Sequence, residues 1–226
     1  MTETIVSSGP ADGDAGEYKV VFSSSGEVRL SFDEVCVFGL YEEEKEIDVS
    51  CVCGKILENR IKKYVLPYCV YCRRTEAQII RKVKGYFCGK NGYSGIWDEL
   101  LDPAIENVLA YLREEGFAGD DAYCAAFFKT NSEKDVSSAR LVMELKNRGV
   151  DGETAERAAK EAARDDEEAC RKALEKKLRG RSVGAKNEFD AKEKASLYRF
   201  LSSRGFETGL VLRVLNDYFR FEPDAE

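Results

Sequence analysis

Apolar positions recur at helical spacing through most of this chain and at strand spacing only near its start. The clearest helical pattern lies in residues 140–163. There Leu141, Val142 and Leu145 share one face, Arg148-Gly149-Val150 interrupts it, and Ala155, Ala158, Ala159 and Ala162 share the next. The order returns 56 residues later (Leu141 to Leu197) as Leu197 and Leu201, then Arg204-Gly205-Phe206, then Val211, Val214, Leu215 and Tyr218. Gly149 and Gly205 stand where a helix ends in the left-handed region, which costs least without a Cβ. Asp151 has the place of the N-cap that opens the second helix. Small side chains on that helix in the middle copy, and large ones in the last, predict different packing distances.

A third copy follows from arithmetic. Ile79 and Val83 precede Leu141 and Leu145 by 62 residues, whereas Ile105 and Val108 precede Ala155 and Ala158 by 50, so 62 − 50 = 12 residues are inserted between them. The insertion falls in 85–101, GYFCGKNGYSGIWDELL, whose glycines and Trp97 predict a long loop, either a surface decoration or a contact site. Upstream, 49–60 and 61–72 read as two helices, with Pro67 kinking or splitting the second. Arg73-Arg74-Thr75-Glu76 opens the next, and Asp102-Pro103 is an N-cap and N1 pair for a helix ending at Gly116. Residues 120–130 and 166–179 each supply the first helix of a later unit. The predicted class is mainly α: tandem three-helix, helix-turn-helix-like repeats over 51–118, 119–164 and 165–220, in an elongated array. A small N-terminal β region, 18–50, holds the only predicted sheet, with strands at 18–22, 28–32 and 35–40 and a solvated acidic turn at 42–46. Residues 1–17 read as a flexible arm and 221–226 as an acidic tail.

Composition narrows the function. With 226 residues, 43% of them hydrophobic, the chain can bury a core. It has no apolar run long enough to span a membrane and no basic, apolar leader at its start, so a cytoplasmic protein without membrane contact is expected. Eight cysteines and no histidine remove the commonest general base, no phosphate loop is present, and Asp120-Asp121 and Asp165-Asp166 sit at helix starts, where the helix dipole accounts for them. Neither an enzyme, a cofactor nor a small-molecule substrate is expected. The rival is a zinc module built on Cys51, Cys53, Cys69 and Cys72, but its Cys-x-Cys and Cys-x-x-Cys pairs lack knuckle glycines, and buried thiols in a helical core are the commoner outcome. A net charge of -7 and a pI near 5.1 disfavour bulk attraction to nucleic acid. Two basic clusters stand against that balance: Arg73, Arg74, Arg81, Lys82 and Lys84 in the first unit, and Arg171, Lys172, Lys176, Lys177, Arg179, Arg181 and Lys186 at the start of the third. Each is either a solvated helix face or a contact with an acidic surface or phosphates.

Several motifs in fixed order carry a family resemblance. They are Arg74-Thr75-Glu76 with Ile79 and Val83; Gly116-Phe117 with Asp120-Asp121 and Tyr123; Ser138, Leu141, Glu144-Leu145 and Arg148-Gly149-Val150; and Lys194, Leu197, Phe200-Leu201 and Arg204-Gly205-Phe206. Over about residues 18–220 the chain resembles the RecX family of regulatory proteins, which act on the RecA recombinase. The resemblance implies a protein of DNA repair and SOS regulation. Such a protein binds along the RecA-DNA filament and inhibits its ATP hydrolysis, strand exchange and coprotease activity, without catalysis of its own. Weak DNA contact through the basic clusters, and a monomeric state, complete the expectation.

Overall fold

The chain begins on a strand. In the computed structural model, which describes residues 2–11, 16–88, 95–179 and 191–220, β1 (Thr2–Pro10) lies between β2 (Glu17–Phe22) and β4 (Glu46–Asp48). With β3 (Gly26–Ser31) at the far edge, they form an antiparallel sheet of order β3-β2-β1-β4. A flexible arm over 1–17 and a sheet confined to 18–40 are both corrected. Two side chains hold β1 in place. Ile5 is fully buried, and the buried Glu3 carboxylate accepts the N–H groups of Ser24 and Ser25 at 2.9 and 2.8 Å and the Ser25 hydroxyl, closing the β2–β3 turn. A carboxylate leaves water at tolerable cost when its lone pairs are filled in this way. Val20 faces Val28 and Ile5 faces Phe22 across the sheet, so one apolar face is continuous.

Residues 35–40 do not make a strand. α1 (Phe32–Phe38) starts at Ser31, whose hydroxyl accepts the Glu34 N–H while the Glu34 carboxylate accepts the Ser31 N–H, and it stops at Gly39 with φ 62°. This reciprocal cap satisfies two donors that a helix start otherwise leaves open, and it overrides the apolar run that follows.

One helix, not two, spans the next stretch. α2 (Val49–Tyr71) is capped by Asp48, which accepts the Cys51 N–H at 3.2 Å, and it continues through Pro67. A proline inside a helix costs about 3 kcal/mol. The face Val49, Cys53, Ile56, Leu57, Ile61, Val65 and Cys69 is buried, and each large aliphatic there contributes about 1.5–3 kcal/mol, which outweighs that cost. α3 (Glu76–Phe87) starts from a second reciprocal cap, between Thr75 and Gln78. α4 (Ile96–Glu114) starts upstream of Asp102-Pro103, so that pair lies inside the helix instead of opening it. Trp97, Leu101, Ala104, Ile105 and Val108 form one buried stripe, and this apolar continuity carries the helix back across Pro103. The long loop expected over 85–101 therefore shortens to the segment between α3 and α4, of which 89–94 lie outside the described residues. Trp97, which the sequence placed on that loop, is a core residue.

Arg60 joins the sheet side of this unit to its helices. Its Nε donates to the Glu34 carboxylate at 2.8 Å, its Nη2 donates to the Arg29 carbonyl at 3.2 Å, and its guanidinium lies 5.3 Å from the Trp97 ring centroid. Burial pushes the Glu34 carboxyl up, but the hydrogen bonds from Arg60 and Ser31 outweigh it and leave its pKa below the ordinary value of 4.5.

The chain divides into two compact units, Met1–Gly119 and Asp120–Glu226. The second holds α5 (Asp120–Thr130), α6 (Ser138–Asn147), α7 (Gly152–Glu161), α8 (Asp166–Arg179), α9 (Ala191–Ser203) and α10 (Thr208–Arg220). No strand interrupts them among the described residues. Gly149 and Gly205 have φ of 90° and 88°, and Asp151 caps α7 by accepting the N–H groups of Glu153 and Thr154. The turns of the repeat are as the sequence predicts. α5, α6 and α7 enclose one core around Phe127, Phe128, Leu141 and Leu145; α8, α9 and α10 enclose another around Leu174, Leu197, Leu201 and Val214.

These two cores are joined by polar contacts at the start of α6. The Ser137 N–H donates to the Arg204 carbonyl at 3.1 Å, Arg204 Nη1 donates to the Asp135 carbonyl at 2.7 Å, and the Asp166 carboxylate accepts both the N–H and the hydroxyl of Ser138. A Cβ on Gly205 would lie 2.7 Å from the Ser137 hydroxyl oxygen and 2.9 Å from the Arg140 Cβ. Glycine is needed there twice, for φ and for the approach. At Gly116, by contrast, φ is 72° and the space around a Cβ is open.

Two outcomes follow from this packing. Gly116→Ala should lower stability by about 1 kcal/mol through backbone strain alone, whereas Gly205→Ala should lose that and about 1–3 kcal/mol more through overpacking; equal losses in urea unfolding would contradict the close approach. Because the Glu34 pKa is depressed in the folded chain, its contribution is full above 4.5 and is lost as pH falls through the folded value. The acid side of the stability–pH curve should therefore flatten in Glu34→Gln.

Candidate functional site

α2 buries Ile61, Val65 and Cys69 on one face, so Tyr64, Tyr68 and Tyr71, at i, i+4 and i+7, share a neighbouring stripe. α3 supplies Lys82 and Tyr86, one turn apart, from the facing side. Tyr86 stacks on Tyr64 with centroids 4.5 Å apart, the Lys82 ammonium lies 4.7 Å from the Tyr64 ring and 4.9 Å from the Tyr68 ring, and the Arg74 guanidinium lies 4.2 Å from the Tyr68 ring. Rings and cations alternate in one ladder. Each cation sits over a ring face, where the quadrupole attracts it, and Arg74 leaves its Nε buried without a hydrogen-bond partner among the described residues. At the end of the tyrosine stripe, Tyr71 is 88% exposed, followed by the exposed Arg73.

The two basic clusters differ in how their charge is balanced. Among the described residues, Arg73, Arg74, Arg81 and Lys82 form no ion pair with a carboxylate. The fifth cation of that cluster does: Lys84 pairs with Asp102 at 2.8 Å, and nearby Arg113 pairs with Glu76 at 2.6 Å. In the other cluster, Lys176 pairs with Asp135 at 2.9 Å, Arg179 approaches Glu175 at 3.8 Å, and Lys177 lies 5.1 Å from the Phe200 ring. Arg171 is held between Glu167 and Asp217, and Lys172 is held by Glu168. Arg181 and Lys186 lie outside the described residues. The first cluster thus keeps four of its five cations uncompensated, with Arg74 and Lys82 against aromatic rings, and the second spends most of its charge on carboxylates close by. The arginines were visible in the sequence as charges. The tyrosines were not singled out, although their spacing of four and three residues marked a stripe.

A four-thiol zinc site is overturned by the continuity of α2. Cys53 and Cys69 are 16 residues apart on one helix (69 − 53), a separation of about 24 Å at 1.5 Å per residue, so the two pairs cannot converge on one ion. Burial pushes the Cys53 thiol up to about 12 and raises Cys69 as well, which keeps both protonated at neutral pH. No group of three or more potential metal ligands forms elsewhere among the described residues. No helix of theirs is long and apolar enough to cross a membrane.

The family model described as RecX, third three-helix domain, matches residues 165–215. A regulatory protein RecX of Escherichia fergusonii is 30% identical over 135 residues, which cover 58% of this chain and 75% of that protein. One of Shigella boydii is 31% identical over 132 residues, with the same shares covered. Among solved structures, a regulatory protein RecX aligns with a TM-score of 0.58 at 17% identity, over 95% of this chain and 99% of that one. RecX from Lactobacillus salivarius aligns at 0.56 and 15%, over 72% and 97%. The likeness to both solved structures is one of fold.

The cysteines divide evenly. Cys36, Cys51, Cys72 and Cys88 are exposed, and Cys53, Cys69, Cys124 and Cys170 are buried. A thiol reagent added to the folded, reduced protein should titrate the four exposed thiols promptly and the other four only on denaturation. Prompt reaction of all eight would contradict the core packing.

Proposed function

Since the chain belongs to the RecX family of regulatory proteins, we propose that it binds the RecA-DNA filament as a cytoplasmic monomer and inhibits RecA's ATP hydrolysis, strand exchange and coprotease activity. On this reading it acts by binding, with no catalytic step, cofactor or small-molecule substrate of its own. The observation that carries the assignment of a contact face is the uncompensated charge of Arg73, Arg74, Arg81 and Lys82. Phosphates or acidic side chains of a filament would attract such a face, and cations already held by their own carboxylates add little. Lys176, Lys177 and Arg179 form a secondary contact, because one small unit offers too little area for a stable interface. Arg181 is assigned to the same secondary contact.

The test is inhibition of RecA's DNA-dependent ATPase. Arg73→Glu with Arg74→Glu should raise the concentration for half-inhibition roughly tenfold, about 1.4 kcal/mol. Lys176→Glu with Lys177→Glu and Arg179→Glu should have a smaller effect, and the combined variant should lose more than either. Inhibition by the parent should weaken with salt, since these charges are screened over about 10 Å at 0.1 M. A folded combined variant that inhibits as well as the parent would remove both clusters from the contact face.

A further inference from the structure

Resting on the assignment of this face to the filament, we propose that the ladder of Tyr64, Lys82, Tyr68 and Arg74, extended by Tyr71 and Arg73, is a landing track for single-stranded nucleic acid. The ligand of this face is then the strand, in preference to an acidic protein surface. Two features of the face select that ligand.

The charge is local and unspent, so it suits a polyanion despite the net charge of -7 on the chain. The rings are an integral part of the face. Tyr71 is 88% and Tyr86 38% exposed, so the ladder carries partly open aromatic surface at both ends, beside cations. Acidic protein side chains have no use for such surface, whereas every base has a π-face to lay on it. An unpaired strand can lay its bases on these end rings, and a stacked duplex cannot present bases to them. Lys82 lies on Tyr64 and Tyr68, and Arg74 on Tyr68, which fixes the middle of the ladder before a strand arrives and lowers the ordering cost of binding.

The experiment uses the full chain and no recombinase. Fluorescence anisotropy is recorded with a labelled oligothymidylate of about 16 nucleotides, a duplex of the same length, and a poly-glutamate peptide as competitor. The parent should bind the oligothymidylate more tightly than the duplex. Its log-affinity should fall with log salt at a slope near −2.1, about 0.7 for each of the three cations. Arg73→Gln should reduce that slope by about 0.7. Tyr71→Ala should weaken binding about fivefold or more at unchanged slope, while Tyr71→Phe, which keeps the ring, should bind as the parent does. Tyr71 lies outside the core, and matching melting curves of the two variants would separate lost contact from lost fold. Absence of oligothymidylate binding at low salt, equal affinity for duplex, or parent-like binding by Tyr71→Ala would each overturn the assignment. Tighter binding of poly-glutamate would give the face to an acidic protein. In that last case, loss of ATPase inhibition by the Arg73 and Arg74 variants would still support the filament reading, so the two assignments fail separately.

Discussion

The burial of one face of α2 is the constraint on which the first unit depends. Val49, Cys53, Ile56, Leu57, Ile61, Val65 and Cys69 must all leave water together, and they do so only if the helix runs unbroken past Pro67. Once that face is committed, the rest is determined by helical geometry. The tyrosine stripe lies beside the core face, α3 packs alongside, and Lys82 and Tyr86 meet rings that α2 has already positioned. The same continuity separates the two cysteine pairs. A single hydrophobic decision therefore creates an aromatic and basic surface and removes a metal site.

Charge is handled differently in the two units. Around α8, arginines and lysines are matched by carboxylates one turn away or on neighbouring elements, and the pairs hold the unit together. Exposed pairs of this kind contribute little stability each, roughly 0–1 kcal/mol, but they cancel the local field. Beside α2 and α3, Arg74 and Lys82 lie on rings instead, and a ring attracts a cation without neutralising it. The field of that face survives.

How much was legible in the sequence follows from how local each signal was. The Arg-Gly turns were readable because a positive φ at Gly149 and Gly205 is a property of a few residues, and the helices were readable because the apolar spacing that marks them is short. β1 was missed because what orders it is distant: Ile5 against Phe22, and Glu3 reaching Ser24 and Ser25. α1 was missed although Ser31 and Glu34 spell out its cap, because the apolar run behind them also fits a strand. At Pro67 and Pro103 the local rule for proline was applied and then overridden by burial that no window around the proline contains. The site shows the same division. Three of the pairs that quench the second cluster, Glu167 with Arg171, Glu168 with Lys172 and Glu175 with Arg179, are spaced four residues apart and could have been read, whereas Asp135 with Lys176 and Asp217 with Arg171 required the fold.

The close approach of Gly205 to Ser137 bears on how an array of this kind can lengthen. The turn of one triplet seats on the start of the middle helix of the triplet before it, and it seats there because Ser137 is small. In the last triplet, the position in register with Ser137, 56 residues on, is Glu193. A tandem copy of the last triplet would meet a glutamate there in place of the small serine, so a triplet's neighbours are part of its specification: the junction, a matched pair of small residues on two different triplets, is what would have to be inherited together.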